Sequence, residues 1–532
     1  MTSPLHITLA QINPTVGALE NNVKKICAAW DAAPDNSDLI VFPEMVLCGY
    51  PPEDLIKKPA FLKDCENALQ KLIAFCKTKK SAAIIPAPWV KDGKTYNAFH
   101  VIEHGAIIAT HAKHHLPNYG VFDEKRIFVS GPMPDPVPFR GTNLGIMVCE
   151  DMWFPDVAAH LKSKGAEILI APHASPFEIG KTETRLRHAR ARVTETSLPL
   201  LFVNQIGGQD ELVFDGHSFA LDSNGNILLK LPGFKENITT LSANFPLPSG
   251  RGIEGEGETA QIYHALTLAL HDYVTKNNFP GILIGLSGGI DSALSAAIAV
   301  DALGADKVHG VRLPSVYTSN DSMEDAEILA QNLKIKLDTI PITDTVAALE
   351  QTLKNHIPAA GTAHENIQSR ARGIILMALS NTNGKMLLST GNKSEMATGY
   401  ATLYGDMCGG FNVLKDVYKT TVYELANWRN EQGAVIPARS ITKAPTAELK
   451  PGQTDQDTLP PYETLDAILK CLIERDMGVE ETAAQGHDRT LVQKIEAMLT
   501  RAEYKRRQSA PGPKTTPRTL SRDRRYPMTN GF

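Results

Sequence analysis

The stretch FPGILIGLSGGIDSALSAAIAVDAL, residues 279–303, decides the fold of the second half of the chain. An apolar run of strand length, 281–286, leads into the turn 287–292, and an Ala-rich helix is predicted over 293–303. A second apolar strand follows at 308–313, which is the spacing of a parallel βαβ unit. We therefore expect the turn to lie at the carboxyl edge of a parallel sheet.

The turn SGGIDS has the features of a phosphate-binding loop that works with a metal ion. Gly288 and Gly289 lack side chains, so backbone N–H groups can approach an anion, and the helix N-terminus adds a partial positive charge. The turn is not a Walker A loop, because no Lys-Ser/Thr pair follows the glycines. An acid beside phosphates repels them unless a divalent cation lies between, so Asp291 is interpreted as a Mg²⁺ ligand. A Gly-rich turn that binds nothing remains the alternative.

The length and amino-acid composition limit the classes of protein to which this chain can belong. A chain of 532 residues is expected to form two to four domains. With 42% hydrophobic and 21% charged residues it is typical of a soluble globular protein. A net charge of −5 argues against non-specific nucleic-acid binding as the main activity. Seven irregularly spaced cysteines indicate reduced thiols, and neither a signal peptide nor a membrane span is recognised, so a cytoplasmic protein without a membrane partner is expected.

Changes in composition divide the chain into domains. The first domain, 1–245, alternates strands and helices, and the Pro/Gly-rich acidic stretch 246–258 reads as a linker to the second domain, 259–532. Within the second domain the polar, Pro-rich segment 430–457 is expected to be a mobile loop and a candidate active-site lid. The end of the chain, 501–525, is basic.

Three residues of the first domain form a candidate catalytic set. Glu44 in VFPEM, Lys113 in HAKHHLPNYG and Cys149 in GIMVCEDMW each come at a predicted strand end. A glutamate can take the proton of a thiol nucleophile, and a buried lysine can stabilise the oxyanion of a tetrahedral intermediate. Taken singly, the cysteine could be a core residue and the two charged residues could be exposed on the surface.

The three contexts and their order resemble the nitrilase, or carbon–nitrogen hydrolase, family over roughly residues 1–245. The resemblance implies a four-layer αββα sandwich and amide hydrolysis through a thioester on Cys149. It also implies that Glu124, in FDEKR, orients the lysine. The positions that it assigns to glutamine binding are Tyr119, Ser175 and Lys181, together with Glu124.

Three nearby histidines, His111, His114 and His115, raise the question of a metal. Adjacent histidines on a strand point to opposite faces, and the nitrilase resemblance implies no metal in this domain. We therefore expect no metal site here.

The second half contains further motifs that resemble the NAD synthetases. These are ENIQ at 365–368, LLSTGNKSEMATGYATLYGDMCGGFNVLKDVYKT at 387–420, KAPTAEL at 443–449 and EYKRR at 503–507. The turn SGGIDS itself resembles the pyrophosphatase loop of the N-type ATP pyrophosphatases, which cleave ATP between its α- and β-phosphates and adenylylate a substrate. The resemblance implies a doubly wound parallel sheet, so that both halves of the chain belong to the α/β class.

The resemblance assigns three groups of residues in this half. ATP contacts are implied at Gly285, Leu286, Ser287, Gly288, Gly289, Ile290, Asp291, Ser292 and Thr390. A Mg²⁺ site is implied at Asp291 and Glu395, and deamido-NAD contacts at Asn366, Arg370, Glu395, Lys419 and Lys505. The whole chain thus resembles the glutamine-dependent NAD synthetases, which implies deamido-NAD, ATP and L-glutamine as substrates and a homo-oligomer formed through the synthetase domain, without nucleic acid as a partner.

Two other classes of protein remain open at this stage. One is a different ATP-dependent amidotransferase, or an RNA-modifying enzyme with the same loop, in which the basic tail 501–525 would hold RNA. The acidic net charge disfavours it. The other is a non-enzymatic nucleotide-binding module with a degenerate amidase, which the presence of Glu44, Lys113, Cys149 and Asp291 disfavours.

Overall fold

The computed structural model describes residues 5–242, 257–358 and 361–529. The chain divides into two compact units, one formed by 1–209 with 213–255 and the other by 210–212 with 256–532. The predicted linker, 246–258, lies outside the described residues except for its end, where Gly257 caps a helix that begins at Glu258.

The first unit contains two six-stranded sheets. In strand order they are β14-β1-β2-β3-β4-β5 and β13-β12-β9-β8-β7-β6, and β10 and β11 form a separate pair. The elements are β1 (His6–Gln11), α1 (Leu19–Asp31), β2 (Leu39–Val41), α2 (Pro59–Cys76), β3 (Ala82–Lys91), β4 (Lys94–Glu103), β5 (Ala106–Ala112), β6 (Val137–Phe139), β7 (Thr142–Ile146), α3 (Pro155–Ser163), β8 (Ile168–His173), α4 (Lys181–Thr196), β9 (Leu200–Asn204), β10 (Ile206–Gln209), β11 (Leu212–Asp215), β12 (Phe219–Leu221), β13 (Ile227–Lys230) and β14 (Asn237–Ser242).

The alternation of side chains along the strands creates three apolar layers. Leu39 and Val41 of β2 point toward the second sheet, where they join Ile146 and Ile170 in one cluster. The intervening Ile40 packs instead with α1 and α2. The outer face of the second sheet packs in the same way against α3 and α4. The result is the four-layer αββα sandwich that the nitrilase resemblance implied.

Two strand predictions in this unit were wrong in extent. The apolar run 82–85 by itself predicts a strand that ends at Ile85, but β3 continues to Lys91 and pairs with β4 from Ala83 onward. Pro86 and Pro88 hide this continuation in the sequence, because proline cannot donate to a sheet ladder. The pattern over 212–231 predicts a single hairpin with its turn at 224–225; the turn is confirmed, but residues 212–215 form β11 and pair with β10.

The second unit is built on a five-stranded parallel sheet in the order β17-β16-β15-β18-β19. Its elements are α5 (Glu258–Lys276), β15 (Ile282–Gly285), α6 (Ile290–Leu303), β16 (Val308–Arg312), α7 (Asn320–Leu333), β17 (Lys336–Thr339), α8 (Thr343–Leu353), α9 (Thr362–Asn383), β18 (Met386–Ser389), α10 (Lys393–Thr398), β19 (Phe411–Asn412), α11 (Lys419–Glu431), α12 (Ala438–Thr442), α13 (Tyr462–Leu469), α14 (Val479–Ala483), α15 (Arg489–Arg501) and α16 (Glu503–Arg506).

The strand order reverses between β15 and β18. The chain first moves outward from β15 to β16 and β17, then returns to place β18 on the other side of β15. In doubly wound sheets the carboxyl ends of the strands open a crevice at such a point, and ligands bind there. The turn 287–292 follows β15, so it lies at this edge, as predicted.

Two boundaries in this unit differ from the prediction. Helix α6 begins at Ile290 rather than Ala293, so Asp291 lies in its first turn. The polar residues 315–322 by themselves predict a loop that extends to Ser322, but α7 begins at Asn320. The side chain of Ser319 caps that helix by accepting a hydrogen bond from the N–H of Ser322 (3.1 Å).

The basic tail is folded, and many of its cations are paired. Arg506 and Arg524 are buried, and each donates to the carboxylate of Glu503, at 2.7 and 3.2 Å. Lys514 Nζ lies 2.7 Å from Asp523 Oδ2. Cations that are paired with carboxylates in this way are not available to bind the phosphate groups of a nucleic acid. This weakens the hypothesis that the segment 501–525 holds RNA. Among the described residues, no helix is long and apolar enough to cross a membrane.

Candidate active sites

Glu44, Lys113 and Glu124 meet in the first unit. Glu44 follows β2 by three residues, and Lys113 comes directly after β5. Lys113 Nζ donates to Glu44 Oε1 at 2.8 Å and to Glu124 Oε1 at 3.0 Å, and all three side chains are buried. The structure therefore brings these three side chains together, and the alternative that Lys113 and Glu44 are surface charges is wrong.

Cys149 lies beside this buried cluster. It follows β7 by three residues, is 4% exposed, and adopts a left-handed backbone conformation with φ of 45°. A cysteine rarely adopts this conformation, and strain of this kind is concentrated at functional sites. Its thiol lies close enough to Glu44 to help lower the pKa of that carboxyl group, and Glu44 accepts hydrogen bonds from Asn97 Nδ2 (2.7 Å) and from the N–H of Ala174 (3.0 Å).

The electrostatics of the cluster set the protonation states. Burial opposes the charge on Lys113, but Glu124 and Glu44 outweigh it and raise the pKa of the ammonium well above its usual range. Burial likewise disfavours the Glu44 carboxylate, but Lys113, Asn97 and Cys149 together lower its pKa. Burial and the charge of Glu44 raise the pKa of the Cys149 thiol. The resting arrangement is a neutral thiol next to a carboxylate base and a permanent cation.

Asp151 connects the turn of Cys149 to the segment that follows Lys113. Its Oδ2 accepts from the N–H of Val148 (3.0 Å), and its Oδ1 accepts from the N–H groups of His114 (3.1 Å) and His115 (2.7 Å). Burial raises the pKa of Asp151 to about 6. Asp151 is not among the predicted site residues, although its position, two residues after the candidate nucleophile, is visible in the sequence.

The substitution Asp151→Asn is expected to impair the cysteine set selectively. An amide keeps one acceptor oxygen but places an NH₂ group against a backbone N–H, so one or two hydrogen bonds are lost at a buried position. We expect a loss of about 1–3 kcal/mol in the free energy of unfolding. The amide hydrolysis that the nitrilase resemblance implies should fall while chemistry in the second unit is retained. Chemical denaturation and an assay of glutamine hydrolysis measure the two effects, and unchanged values in both would show that Asp151 positions nothing.

Three further residues predicted to bind glutamine, Tyr119, Ser175 and Lys181, make different contacts in the structure. Tyr119 is half exposed, and its OH donates to the carboxylate of Glu150 at 3.1 Å. The N–H of Ser175 donates to Asn204 Oδ1 at 2.9 Å. Lys181 Nζ lies 3.2 Å from the carboxylate of Glu178 and 5.0 Å from the ring centroid of Trp153.

A buried ion pair missed by the sequence analysis fixes the Ser175 segment. Arg185 NH1 lies 2.8 and 2.9 Å from the two oxygens of Asp215, and Arg185 Nε donates to Ser175 Oγ at 3.0 Å. Arg185 also donates to the carbonyls of Ser175 and Pro176. Both charged side chains are at most 1% exposed, so removing either one would leave an uncompensated buried charge.

The second unit contains a cavity of about 300 Å³ at the switch point of its sheet. The loop after β15 forms one side and the segment after β18 forms another, together with residues of α9, α11 and the 440–449 segment. The predicted residues that line it are Gly285, Leu286, Ser287, Gly289, Ile290, Asp291, Ser292, Thr390, Glu395 and Lys419.

Gly288, the remaining residue predicted to contact ATP, is not among the residues that line the cavity. Its φ is 79°, and a Cβ added to it would lie 2.4 Å from the carbonyl oxygen of Ser322. Glycine is therefore required here for the loop to fold against α7. The carbonyl oxygen of Gly288 also accepts from Ser440 Oγ at 3.0 Å, which ties the predicted lid segment to this loop.

Asp291, Glu395 and Lys419 meet inside the cavity. Lys419 Nζ contacts the carboxylate of Asp291 and lies 3.5 Å from Glu395 Oε1. Asn392 Nδ2 donates to Asp291 Oδ1 at 2.9 Å and so links the two strand ends. Burial and the charge of Asp291 raise the pKa of Glu395 to about 8. Asp455 adds a third carboxylate, and burial raises its pKa as well.

The donor set fits a divalent cation. Three carboxylates that line the cavity, those of Asp291, Glu395 and Asp455, all interact with the ammonium of Lys419. Burial, followed by the charge of Asp291, raises the pKa of Glu395, so a further cation near this pair would be stabilised. Mg²⁺ is usually held by one or two protein carboxylates together with phosphate oxygens and waters. Asp291 and Glu395, which Lys419 bridges, are the pair suited to it, and Asp455 was missed by the sequence analysis.

The five residues predicted to contact deamido-NAD fall in two places. Glu395 and Lys419 line the cavity, whereas Asn366, Arg370 and Lys505 are not among its described lining residues. Those three all contact the 399–403 segment: Asn366 Oδ1 accepts from Thr402 Oγ1 (2.8 Å), Arg370 Nε donates to Leu403 O (3.3 Å), and Lys505 Nζ donates to Gly399 O (2.9 Å). They form one cluster on the loop after α10.

Comparisons with known proteins match each half of the chain to a protein family. The sequence profile of the carbon-nitrogen hydrolase family matches residues 6–251, and that of NAD synthase matches residues 262–509. A glutamine-dependent NAD(+) synthetase from Rhodobacter capsulatus is 49% identical, covering 100% of this chain and 99% of that protein. One from Acinetobacter baylyi is 42% identical, covering 99% and 98%.

Solved structures extend the comparison. The glutamine-dependent NAD+ synthetase from Acinetobacter baumannii, determined in complex with adenosine diphosphate, is 40% identical, with a TM-score of 0.79 over 99% of both chains. That from Cytophaga hutchinsonii is 21% identical, with a TM-score of 0.86, and shares the fold. Fold and sites thus define a two-domain protein with a nitrilase-type hydrolase followed by an NAD synthase domain. The chain belongs to the family of glutamine-dependent NAD(+) synthetases, which are carbon–nitrogen ligases.

Proposed function

We propose that this chain converts deamido-NAD to NAD with nitrogen taken from L-glutamine, and that ATP is cleaved to AMP and pyrophosphate. The observation that carries the proposal is the presence, in one chain, of the buried Glu44–Lys113–Cys149 cluster and of the acidic cavity that follows SGGIDS. Full-length similarity to glutamine-dependent NAD(+) synthetases supports it.

The first unit would release ammonia from glutamine. Glu44 takes the proton of Cys149, and the sulfur attacks the amide carbon while Lys113 stabilises the oxyanion. Glu44 then gives its proton to the leaving nitrogen, so that ammonia departs and a thioester remains. A water deprotonated by Glu44 hydrolyses the thioester to glutamate. Glu124 keeps the lysine charged and in place, since it is the second carboxylate on Lys113 Nζ.

Glutamine would be held by groups around this cluster. Tyr119, Ser175 and Lys181 are proposed as its contacts, as the family resemblance implies. Two observations support this proposal. Tyr119 donates to Glu150, the residue directly after the nucleophile. Ser175 directly follows Ala174, whose N–H donates to Glu44. A cation and a carboxylate, Lys181 and Glu150, suit the two charged ends of free glutamine.

The second unit would activate the carboxylate of deamido-NAD. A carboxylate resists ammonia because it is anionic and would have to expel oxide. Attack of that carboxylate on the α-phosphorus of ATP forms an adenylate and releases pyrophosphate, and ammonia then displaces AMP from the acyl carbon. The loop 287–292 and Lys419 would hold the phosphates, and Thr390 would contact ATP from the neighbouring strand end.

A Mg²⁺ ion is proposed at Asp291 and Glu395, where it would neutralise phosphate charge during attack at phosphorus. Asn366, Arg370 and Lys505 are proposed to contact deamido-NAD at the 399–403 loop, together with Glu395 and Lys419 in the cavity.

We also propose a cytoplasmic homo-oligomer formed through the synthetase domain, with no nucleic-acid partner.

The products of the reaction test the proposal. Full-length protein incubated with deamido-NAD, ATP, Mg²⁺ and glutamine is expected to form NAD, AMP, pyrophosphate and at least one glutamate per NAD. Chromatography quantifies all four. Formation of ADP and phosphate in step with NAD would assign a different mechanism, and ATP consumption that does not require deamido-NAD would show that deamido-NAD is not the carboxylate that is adenylylated.

A further inference from the structure

His114, His115 and Asp156 form a cluster in the first unit that the proposed hydrolysis does not use. Strand β5 ends at Ala112, so the argument that adjacent histidines point to opposite faces of a strand was wrong for this pair. Their ring centroids are 4.7 Å apart. His115 Nε2 lies 2.9 and 3.0 Å from the two carboxylate oxygens of Asp156. One ligand atom from each residue lies within 4.8 Å of the others.

The hydrogen bonds of His114 prepare it as a ligand. Its Nδ1 lies 2.8 Å from the carbonyl oxygen of Gly131. A carbonyl can only accept, so Nδ1 carries the proton and Nε2 carries a lone pair. Within the described ranges, Nε2 of His114 makes no hydrogen bond. Metal-binding histidines usually donate their second ring N–H to a carbonyl or a carboxylate in this way.

We propose that His114, His115 and Asp156 bind a divalent transition metal, with Zn²⁺ the best suited. Two imidazoles and one carboxylate are typical zinc ligands, and three protein ligands leave one tetrahedral position for water. Tetrahedral bonds of about 2.1 Å place ligand atoms about 3.4 Å apart. The present separations, from 2.9 Å to at most 4.8 Å, bracket that value, so small side-chain rotations complete the site.

The site would fasten two segments that carry the hydrolytic residues. His114 and His115 follow Lys113, and their backbone N–H groups donate to Asp151, whose other oxygen holds the turn of Cys149. Asp156 lies in the first turn of α3, the helix that follows this turn. A metal bound to all three side chains therefore cross-links the lysine segment to the helix beyond the cysteine. Its binding should stabilise the folded unit against unfolding, because the unfolded chain has no such site.

Metal binding by the full-length protein tests the site. The Cys149→Ala variant serves as the reference so that the proposed nucleophile cannot hold the metal, and chelator is removed by dialysis. Titration with Co²⁺ alone should give visible absorption typical of tetrahedral nitrogen and oxygen ligation. Adding His114→Ala or the isosteric Asp156→Asn should weaken binding at least about tenfold and remove that absorption. Zn²⁺ should raise the thermal unfolding temperature of the reference but not of these variants.

A matched control is His160→Ala, which removes another His–Asp pair: His160, on α3, lies 3.3 Å from Asp135. It should bind Co²⁺ like the reference. The proposal is overturned if Asp156→Asn keeps the reference affinity, if no tetrahedral absorption develops, or if the spectrum is dominated by sulfur-to-cobalt charge transfer. In those cases His115 and Asp156 form an ordinary ion pair. The readout is independent of NAD synthesis, so failure here leaves the proposed function standing.

Discussion

Cys149→Ala is expected to abolish glutamine-driven NAD synthesis, by at least about 10³-fold, while synthesis from ammonium chloride persists within about twofold. The thiol is needed only to form the thioester, and the adenylate does not distinguish the source of ammonia. Ammonia-driven activity should rise with pH, because more of the free base is present. Alanine adds no bulk at a residue that is 4% exposed, so the fold should survive.

The control for this variant is Cys76→Ala, which removes a fully buried thiol of α2 on the outer face of the first sheet. It should lose some stability and keep both activities. Lys113→Ala and Glu44→Ala should show the same separation of activities as Cys149→Ala. The two-site account fails if Cys149→Ala retains its glutamine activity, or if it loses both activities while circular dichroism shows a folded protein.

Asp291→Ala is expected to abolish NAD synthesis from both nitrogen sources, since both require the adenylate. The loss should be at least about 10³-fold, because Asp291 is the proposed metal ligand beside the phosphates. Lys419 and Asn392 would also lose their shared partner. Initial rates with glutamine and with ammonium, at saturating ATP, measure the effect, and Glu395→Gln should behave similarly.

Asp301→Asn supplies the matched control, since Asp301 lies at the other end of the same helix and pairs with Arg429. It should leave both rates nearly unchanged. Glutamine hydrolysis by Asp291→Ala should persist in a direct glutaminase assay, which shows that the first unit is intact. Synthesis at a near wild-type rate in Asp291→Ala would remove this residue from the metal site.

Features encoded by contiguous residues were predictable from the sequence. The order of strand, Gly-rich turn and helix at 281–303 placed Asp291 at a sheet edge because parallel strands share one carboxyl edge. Glu44, Lys113 and Cys149 were recognised from their positions at strand ends and from family contexts. The topology that brings β18 next to β15, and hence Glu395 next to Asp291, required the family resemblance.

Features that depend on distant partners were missed. Asp455 comes from a Pro-rich segment with no helical or strand periodicity, and only tertiary packing brings it to the cavity. Asp151 accepts hydrogen bonds from backbone N–H groups. Because such groups are not specific to any residue type, the sequence does not show which positions will donate to it. The prediction that His114 and His115 point to opposite faces of a strand failed because β5 ends at the residue before Lys113. The end of a strand is set by its pairing with the neighbouring strand rather than by the local sequence pattern.

The origin of the amide nitrogen tests the central claim most directly. The full-length protein is supplied with deamido-NAD, ATP, Mg²⁺ and glutamine labelled with ¹⁵N at the side-chain amide, in the presence of unlabelled ammonium, and the NAD is examined by mass spectrometry. We expect ¹⁵N in the nicotinamide group of the wild-type product and only unlabelled nitrogen in the product of Cys149→Ala. Labelled NAD from Cys149→Ala, or wild-type NAD that contains no label, would contradict the account.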